Sequence, residues 1–114
     1  MKQSVMVSKS VELALKVIEY CKCLETSKNY VISNQLLKSS TSIGANLAES
    51  REAQSKKDFI SKLSISSKEA AETAYWLYLC DKSEEIESPP NKIIDLNNEL
   101  RKMLRSAIIS LKTS

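Results

Sequence analysis

Four carboxylates carry the most enzyme-like spacing in the chain. Glu49 and Glu52 stand three residues apart in Glu49-Ser50-Arg51-Glu52, and Glu69 and Glu72 do the same in Glu69-Ala70-Ala71-Glu72. On a helix that interval sets both acids of a pair on one face. Two such helices side by side would offer four oxygen-donor groups to a hard cation such as Mg²⁺. Solvated helix surfaces carry the same spacing, with Lys56 and Lys68 at hand as ordinary ion-pair partners, and the residues favour that plainer reading. The chain contains no histidine. This removes the usual general base, every Ser-His or Cys-His nucleophile pair and the commonest transition-metal ligand. It also removes a di-iron centre built on Glu-x-x-His. A single glycine cannot form a phosphate-cradling loop. Cys21, Cys23 and Cys80 make an odd count, and Cys21 and Cys23, two apart on a helix, face different directions. All three read as reduced structural thiols. These residue types predict a protein that is not an enzyme and uses no cofactor.

The remaining chemistry lies in charge. Seventeen basic residues against fourteen acidic give a net +3, unevenly spread. Residues 101–112 carry +4 and residues 38–68 carry +3, whereas residues 81–99 carry −4. Segregation of this kind builds a positive face even when the total is small. Lys38, Arg51, Lys56 and Lys57, with Arg101, Lys102 and Arg105, are the candidates for neutralising nucleic-acid phosphates, giving salt-sensitive and largely sequence-blind binding. The alternative is an ordinary solubilising surface, which also suits the seven-residue stripe of Lys2, Lys9 and Lys16. Asn46 lies between Ile43 and Leu47, so it is expected to be partly buried and to need partners. With Ser42 and Glu49 it forms a polar strip, read first as a bonded network fixing helix register or subunit contact, and second as part of a ligand site.

Four amphipathic segments must position these groups. The spacing predicts helices over about 8–26, 33–53, 56–83 and 89–111, in a single domain spanning 1–114. In the first, Val11, Ala14, Ile18 and Cys21 form the stripe, widened by Leu13, Val17, Tyr20 and Leu24. Ser33 is the expected N-cap of the second. Leu36, Leu37, Ile43, Leu47 and Ala48 keep helical spacing through a serine-rich run and Gly44. The small side chains there would let another helix approach closely while their hydroxyls bond back onto the helix's own carbonyls. Ser55-Lys56-Lys57-Asp58 has capping-box form and opens the third helix. Phe59, Leu63, Ala70, Ala74 and Leu77 mark its stripe, while Ile60, Tyr75, Trp76, Tyr78 and Leu79 spread around the cylinder and predict burial on most sides. Pro89 and Pro90 break the chain and suit the first turn of a fourth helix striped by Ile93, Leu96, Leu100, Met103, Ala107 and Leu111. Short connections between long helices give an all-α, antiparallel up-down-up-down four-helix bundle. No run of 18 apolar residues and no signal-peptide core is present, so the expected location is cytoplasmic, with no membrane partner.

Ser42-Ile43-Gly44-Ala45-Asn46-Leu47-Ala48-Glu49, followed by Ser50-Arg51, is similar to the S-I-x-x-N-I-A-E-G core of bacterial four-helix-bundle proteins. That family is named after intervening sequences in 23S ribosomal RNA genes. Phe59, Leu63, Ile65 and the run Lys68 to Leu77 look like its third helix, and Leu100, Met103 and Leu104 match its closing segment. Ser50 stands where many members have Gly, and Lys38 where many have Arg. The resemblance covers nearly the whole chain and implies a bundle that assembles into a ring-like homopentamer. A related branch, the accessory proteins of diversity-generating retroelements, binds nucleic acid and a reverse transcriptase through basic surface. By this resemblance the expected partners are further copies of the chain, RNA or DNA, and a reverse transcriptase or other protein. The two acidic pairs also look like the metal motif of all-α nucleotide pyrophosphohydrolases, with Glu72 where that motif ends in Asp. Fold transfers from such likeness more securely than activity. The leading function is therefore a non-enzymatic, RNA-phosphate-contacting oligomeric accessory or scaffold protein. A protein–protein scaffold without nucleic acid comes second, and a Mg-dependent hydrolase third.

Overall fold

The computed structural model describes residues 2–114, with side chains from Val5 onward. Its elements are α1 (Lys2–Thr26), α2 (Tyr30–Ser50), α3 (Lys56–Lys82) and α4 (Asn91–Thr113). Each helix packs on its chain neighbours, and α1 closes the square against α4. The result is a rod of 47 × 20 × 20 Å. At 1.5 Å rise per residue, helices of this length run nearly end to end.

The core is aliphatic: Leu13, Val17 and Leu24 of α1, Leu36, Ile43 and Leu47 of α2, Leu63 and Leu77 of α3, and Ile93, Leu96, Leu100 and Leu104 of α4 are all buried. Removing each from water contributes about 1.5–3 kcal/mol. Along α4 the expected stripe is kept at Ile93, Leu96 and Leu100, with Leu104 buried beside it. In α1 the stripe is rotated from expectation. Val11 and Ile18 are exposed, and Met6, Leu13, Val17, Tyr20, Cys21 and Leu24 face inward. The helix carries apolar residues over more of its circumference than one bundle can cover, so sequence spacing alone does not choose the edge. The same applies to α3, where Tyr75 and Tyr78 are exposed rather than enclosed.

The first junction differs from expectation for a backbone reason. Lys28 adopts φ 65°. Asn29 N–H bonds to the Leu24 carbonyl at 2.8 Å and Lys28 N–H to that of Glu25 at 2.9 Å. This is a Schellman closure with lysine where glycine is usual. It turns the chain so sharply that α2 starts at Tyr30, with Asn29 at its N-cap making no side-chain cap bond. Ser33, expected to cap, lies buried inside the helix, where its carbonyl accepts from the Cys21 thiol at 3.5 Å. At its other end α2 tightens: Arg51, Glu52 and Ala53 donate to carbonyls three residues back, so the expected end at Ala53 includes this extra turn. Ser55 does cap α3, accepting from Asp58 N–H at 3.0 Å, although the Asp58 carboxylate reaches back to Gln54 N–H rather than to Ser55. Pro90 is the N-cap residue of α4, one position ahead of its first turn. The α1 start at Lys2 rather than Ser8 follows from the lack of any breaker before Ser8.

The serine-rich stretch of α2 is helical throughout. Ser39, Ser40, Thr41 and Ser42 each bond to a carbonyl three or four residues back. Across to α3, Thr73 donates to Ser39 Oγ at 2.8 Å and Ser66 to the Ile43 carbonyl at 2.8 Å. On the α1 side a Cβ at Gly44 would stand 2.8 Å from Ser10 Oγ and 3.4 Å from Ser10 Cβ. Glycine here leaves room for the Ser10 hydroxyl, which would have to turn away from any Cβ. No helix among the described residues is long and apolar enough to cross a membrane.

Candidate nucleic-acid interface

Antiparallel packing gathers charge at one end of the rod. The second half of α4 lies at the same end as the α2–α3 turn, as the bonds from Lys56 Nζ to Ser114 O and Oγ at 3.1 Å show. Arg51, Lys56, Lys57 and Lys112 therefore share that end, with Arg105 in the second half of α4 and Arg101 and Lys102 near the middle of the rod. Glu25, Asp81, Glu84, Glu85, Glu87 and Asp95 lie at the other. Glu49, Glu52 and Asp58 also lie near the basic end and Lys22, Lys28, Lys82 and Lys92 near the acidic one, so the two ends differ in net charge and not in the sign of every group.

Arg101, Lys102 and Arg105 share one outer face of α4 with Asn98, Ser106, Ile109 and Ser110, lining a shallow groove of about 770 Å³. Helical spacing places the three cations within a turn and a half of one another. Arg101 is half-buried, and Lys102 and Arg105 are exposed. Arg51 and Lys57 are exposed at the α2–α3 turn. Lys38 is exposed in the middle of α2, a helix that does not pack against α4, and stands apart from both groups. The seven candidate cations thus fall into an α4 trio, a turn trio and one outlier.

The polar strip of α2 is bonded mainly to its own backbone. Asn46 is half-buried and its Nδ2 donates to the Ser42 carbonyl at 2.8 Å, while Ser42 Oγ donates to Lys38 O. Glu49 is exposed and pairs with Lys62 of α3 at 3.1 Å. Side-chain bonds joining Ser42, Asn46 and Glu49 into one network are not formed among the described residues. Nor do the four carboxylates converge. Glu49 is held by Lys62, and Glu72 accepts from Trp76 Nε1 at 3.5 Å. Among the described residues no three acids, cysteines or histidines group as metal ligands.

Burial, the largest cause in each case, pushes the thiols of Cys21, Cys23 and Cys80 above their usual range. They stay protonated near neutrality and are weak nucleophiles. Burial also raises the Tyr20 phenol well above its ordinary value, helped by Cys80, and its hydroxyl donates to the Glu87 carbonyl at 2.6 Å. Lys9, placed in the solvated stripe by its spacing, pairs with Glu99 at 2.8 Å. The hydrogen bond between them raises the ammonium's pKa and lowers the carboxylate's. The side chain of Lys2 lies outside the described residues.

Sequence spacing overlooked Asn97. It is 1% exposed, its Nδ2 donates to the Ala70 carbonyl of α3 at 3.0 Å, and its Oδ1 has no partner. Its place in the inward ladder of Ile93, Leu96, Leu100 and Leu104 was the available signal.

Comparison with known proteins agrees with this architecture. A protein of unknown function from the S23 ribosomal protein family of Bacteroides thetaiotaomicron, known from a crystal structure, is 43% identical, with a TM-score of 0.87 over 95% of this chain and 98% of that one. No curated protein matches the chain. The family model for the 23S rRNA-intervening sequence protein matches residues 2–106, from the first turn of α1 into α4, and the chain belongs to that family.

Proposed function

We propose that this protein is a non-enzymatic, nucleic-acid-binding accessory or scaffold protein that contacts phosphates, of RNA foremost, through its basic side chains. The observation that carries this reading is the alignment of Arg101, Lys102 and Arg105 along one groove of α4, with Arg51 and Lys57 exposed at the α2–α3 turn toward which that helix runs. Guanidinium forks and a lysine at helical spacing neutralise successive phosphates without reading bases. Lys56, tied to Ser114, is the least available member of the set. The same reading takes the chain as a cytoplasmic homopentamer, because repetition of one weak patch multiplies its affinity. The exposed Val11, Leu15 and Ile18, at helical spacing on α1, supply an apolar face suited to such assembly. That face also supports the second reading, a scaffold for a protein partner such as a reverse transcriptase, with no nucleic acid involved.

The test is RNA affinity at low salt, with solution mass measured on the same preparation. The triple variant Arg101→Glu, Lys102→Glu, Arg105→Glu should lose more than tenfold in affinity, on the order of 1.4 kcal/mol or more. Lys56→Glu with Lys57→Glu should lose less. The mass should be five times the 12.8 kDa of the chain. Unchanged RNA affinity in the triple variant overturns the site, and a monomer overturns the assembly.

A further inference from the structure

Between α3 and α4 lies a second cavity of about 250 Å³, and it meets the cationic groove at Asn98 and Arg101, which line both. Its walls include Ala74, Leu77 and Ile94, with Tyr78 on the solvent side and Asn97 buried. Asn97 Oδ1 is an acceptor with nothing to accept from. The amide orientation is fixed by chemistry, since turning it over would set oxygen against the Ala70 carbonyl oxygen. A buried acceptor left unpaired costs about 1–3 kcal/mol; Oδ1 is closed to solvent, and a donor that parts the side chains covering it would relieve that cost. Tyr78 is 60% exposed, and Lys82 Nζ stands 5.7 Å from its ring centroid.

We infer that this cavity takes a nucleobase from a single strand whose phosphates run along Arg101, Lys102 and Arg105. The inference rests on the phosphate-binding reading and adds a base subsite to it. A planar ring of nucleobase size enters beside Leu77 and Ile94, stacks on Tyr78 and, by parting the side chains that cover Asn97, donates an N–H to its Oδ1. Bases with an exocyclic amine suit the site best, because Asp81, which also lines it, is a second acceptor. That carboxylate repels phosphate, which keeps the backbone of the strand on the Arg101–Arg105 side. Stacking on an aromatic side chain is tolerant of base identity, so the subsite gives a preference for single strands that carry bases, not a sequence code.

Fluorescence anisotropy with a 12-nucleotide oligoadenylate and its abasic counterpart, on the full chain, tests this. The base-bearing strand should bind about tenfold more tightly, within the range of base–aromatic stacking. Tyr78→Ala, a change at an exposed position, should remove most of that preference while abasic binding stays unchanged. Asn97→Leu should also reduce it, with circular dichroism and thermal melting confirming the fold. The triple Glu variant at Arg101, Lys102 and Arg105 should lose both strands. Equal binding of the two strands by the native protein overturns the base subsite and leaves phosphate binding standing, with the cavity holding water only. Failure to bind either strand overturns phosphate binding and the subsite together.

Discussion

Gly44→Ala offers a test of the packing in which two effects of known sign oppose each other. In an open helix the substitution gains about 1 kcal/mol of propensity. Here the new Cβ would stand 2.8 Å from Ser10 Oγ, a distance that real contacts do not tolerate. Ser10 is buried, and its hydroxyl already donates to the Val7 carbonyl at 2.7 Å. Rotating it away forfeits that bond, worth about 0.5–1.5 kcal/mol, and leaves its Cβ in contact at 3.4 Å with no space to spare. Overpacking of this kind costs about 1–3 kcal/mol. The balance is a net loss of about 1–2 kcal/mol, or roughly 4–8 °C in Tm for a domain of this size. Ser10→Ala removes the offending oxygen and leaves the Val7 carbonyl its helical partner. In that background Gly44→Ala should become neutral or stabilising, a coupling of about 1–2 kcal/mol in the double-mutant cycle. Chemical denaturation of the four proteins at one fixed concentration measures it, since assembly makes stability concentration-dependent. If Gly44→Ala stabilises the native sequence by its full propensity gain, α1 and α2 are not as close as described.

Three further outcomes follow from the same geometry. Lys28→Gly should stabilise the chain by about 0.5–1 kcal/mol, because the left-handed backbone costs an L-residue more than glycine loses in unfolded-state entropy; a lower melting temperature would contradict the Schellman closure. Stability should fall as pH rises past 9, because the unfolded state releases protons that the buried Cys21 and Cys80 thiols retain, and Tyr20 should add to the loss above pH 10. Each group contributes about 1.4 kcal/mol per pH unit there. Urea melts of Tyr20→Phe should show a shallower fall above pH 10, and an unchanged slope would count against burial of the phenol. Asn97→Leu should be close to neutral in stability or better, since it removes an unpaired acceptor while the Ala70 carbonyl keeps its helical bond; a loss above 2 kcal/mol in a urea melt would show that the amide is a structural anchor.

Much of the fold was legible because local signals agreed with one another. The Ser55 cap, the Pro89-Pro90 break and the ladder from Ile93 to Leu104 each specify one answer, and α3 and α4 follow them. The α1–α2 junction was hidden because a lysine occupies a backbone conformation that sequence assigns to glycine, leaving Ser33 as the visible but wrong cap. Which apolar edge of α1 turns inward depends on its neighbours, so Val11 and Leu13 cannot be ranked from spacing. At the site, residue type gave the cations but not their grouping. Antiparallel packing runs the α4 trio from mid-rod toward the end that holds the α2–α3 turn and leaves Lys38 apart. The α3–α4 cavity depends on two helices at once and left only Asn97, a polar residue on a core ladder, as its trace.

In the proposed function the cations of α4 bind nucleic acid by displacing its counterions. The direct measurement is the affinity of the native protein for a single-stranded RNA as salt is raised from 50 to 200 mM. With Arg101, Lys102 and Arg105 each neutralising one phosphate, log K should fall against log salt with a slope of about −2 for each protomer engaged. A flat dependence, or no RNA bound at the lowest salt, would rule out phosphate binding by these side chains.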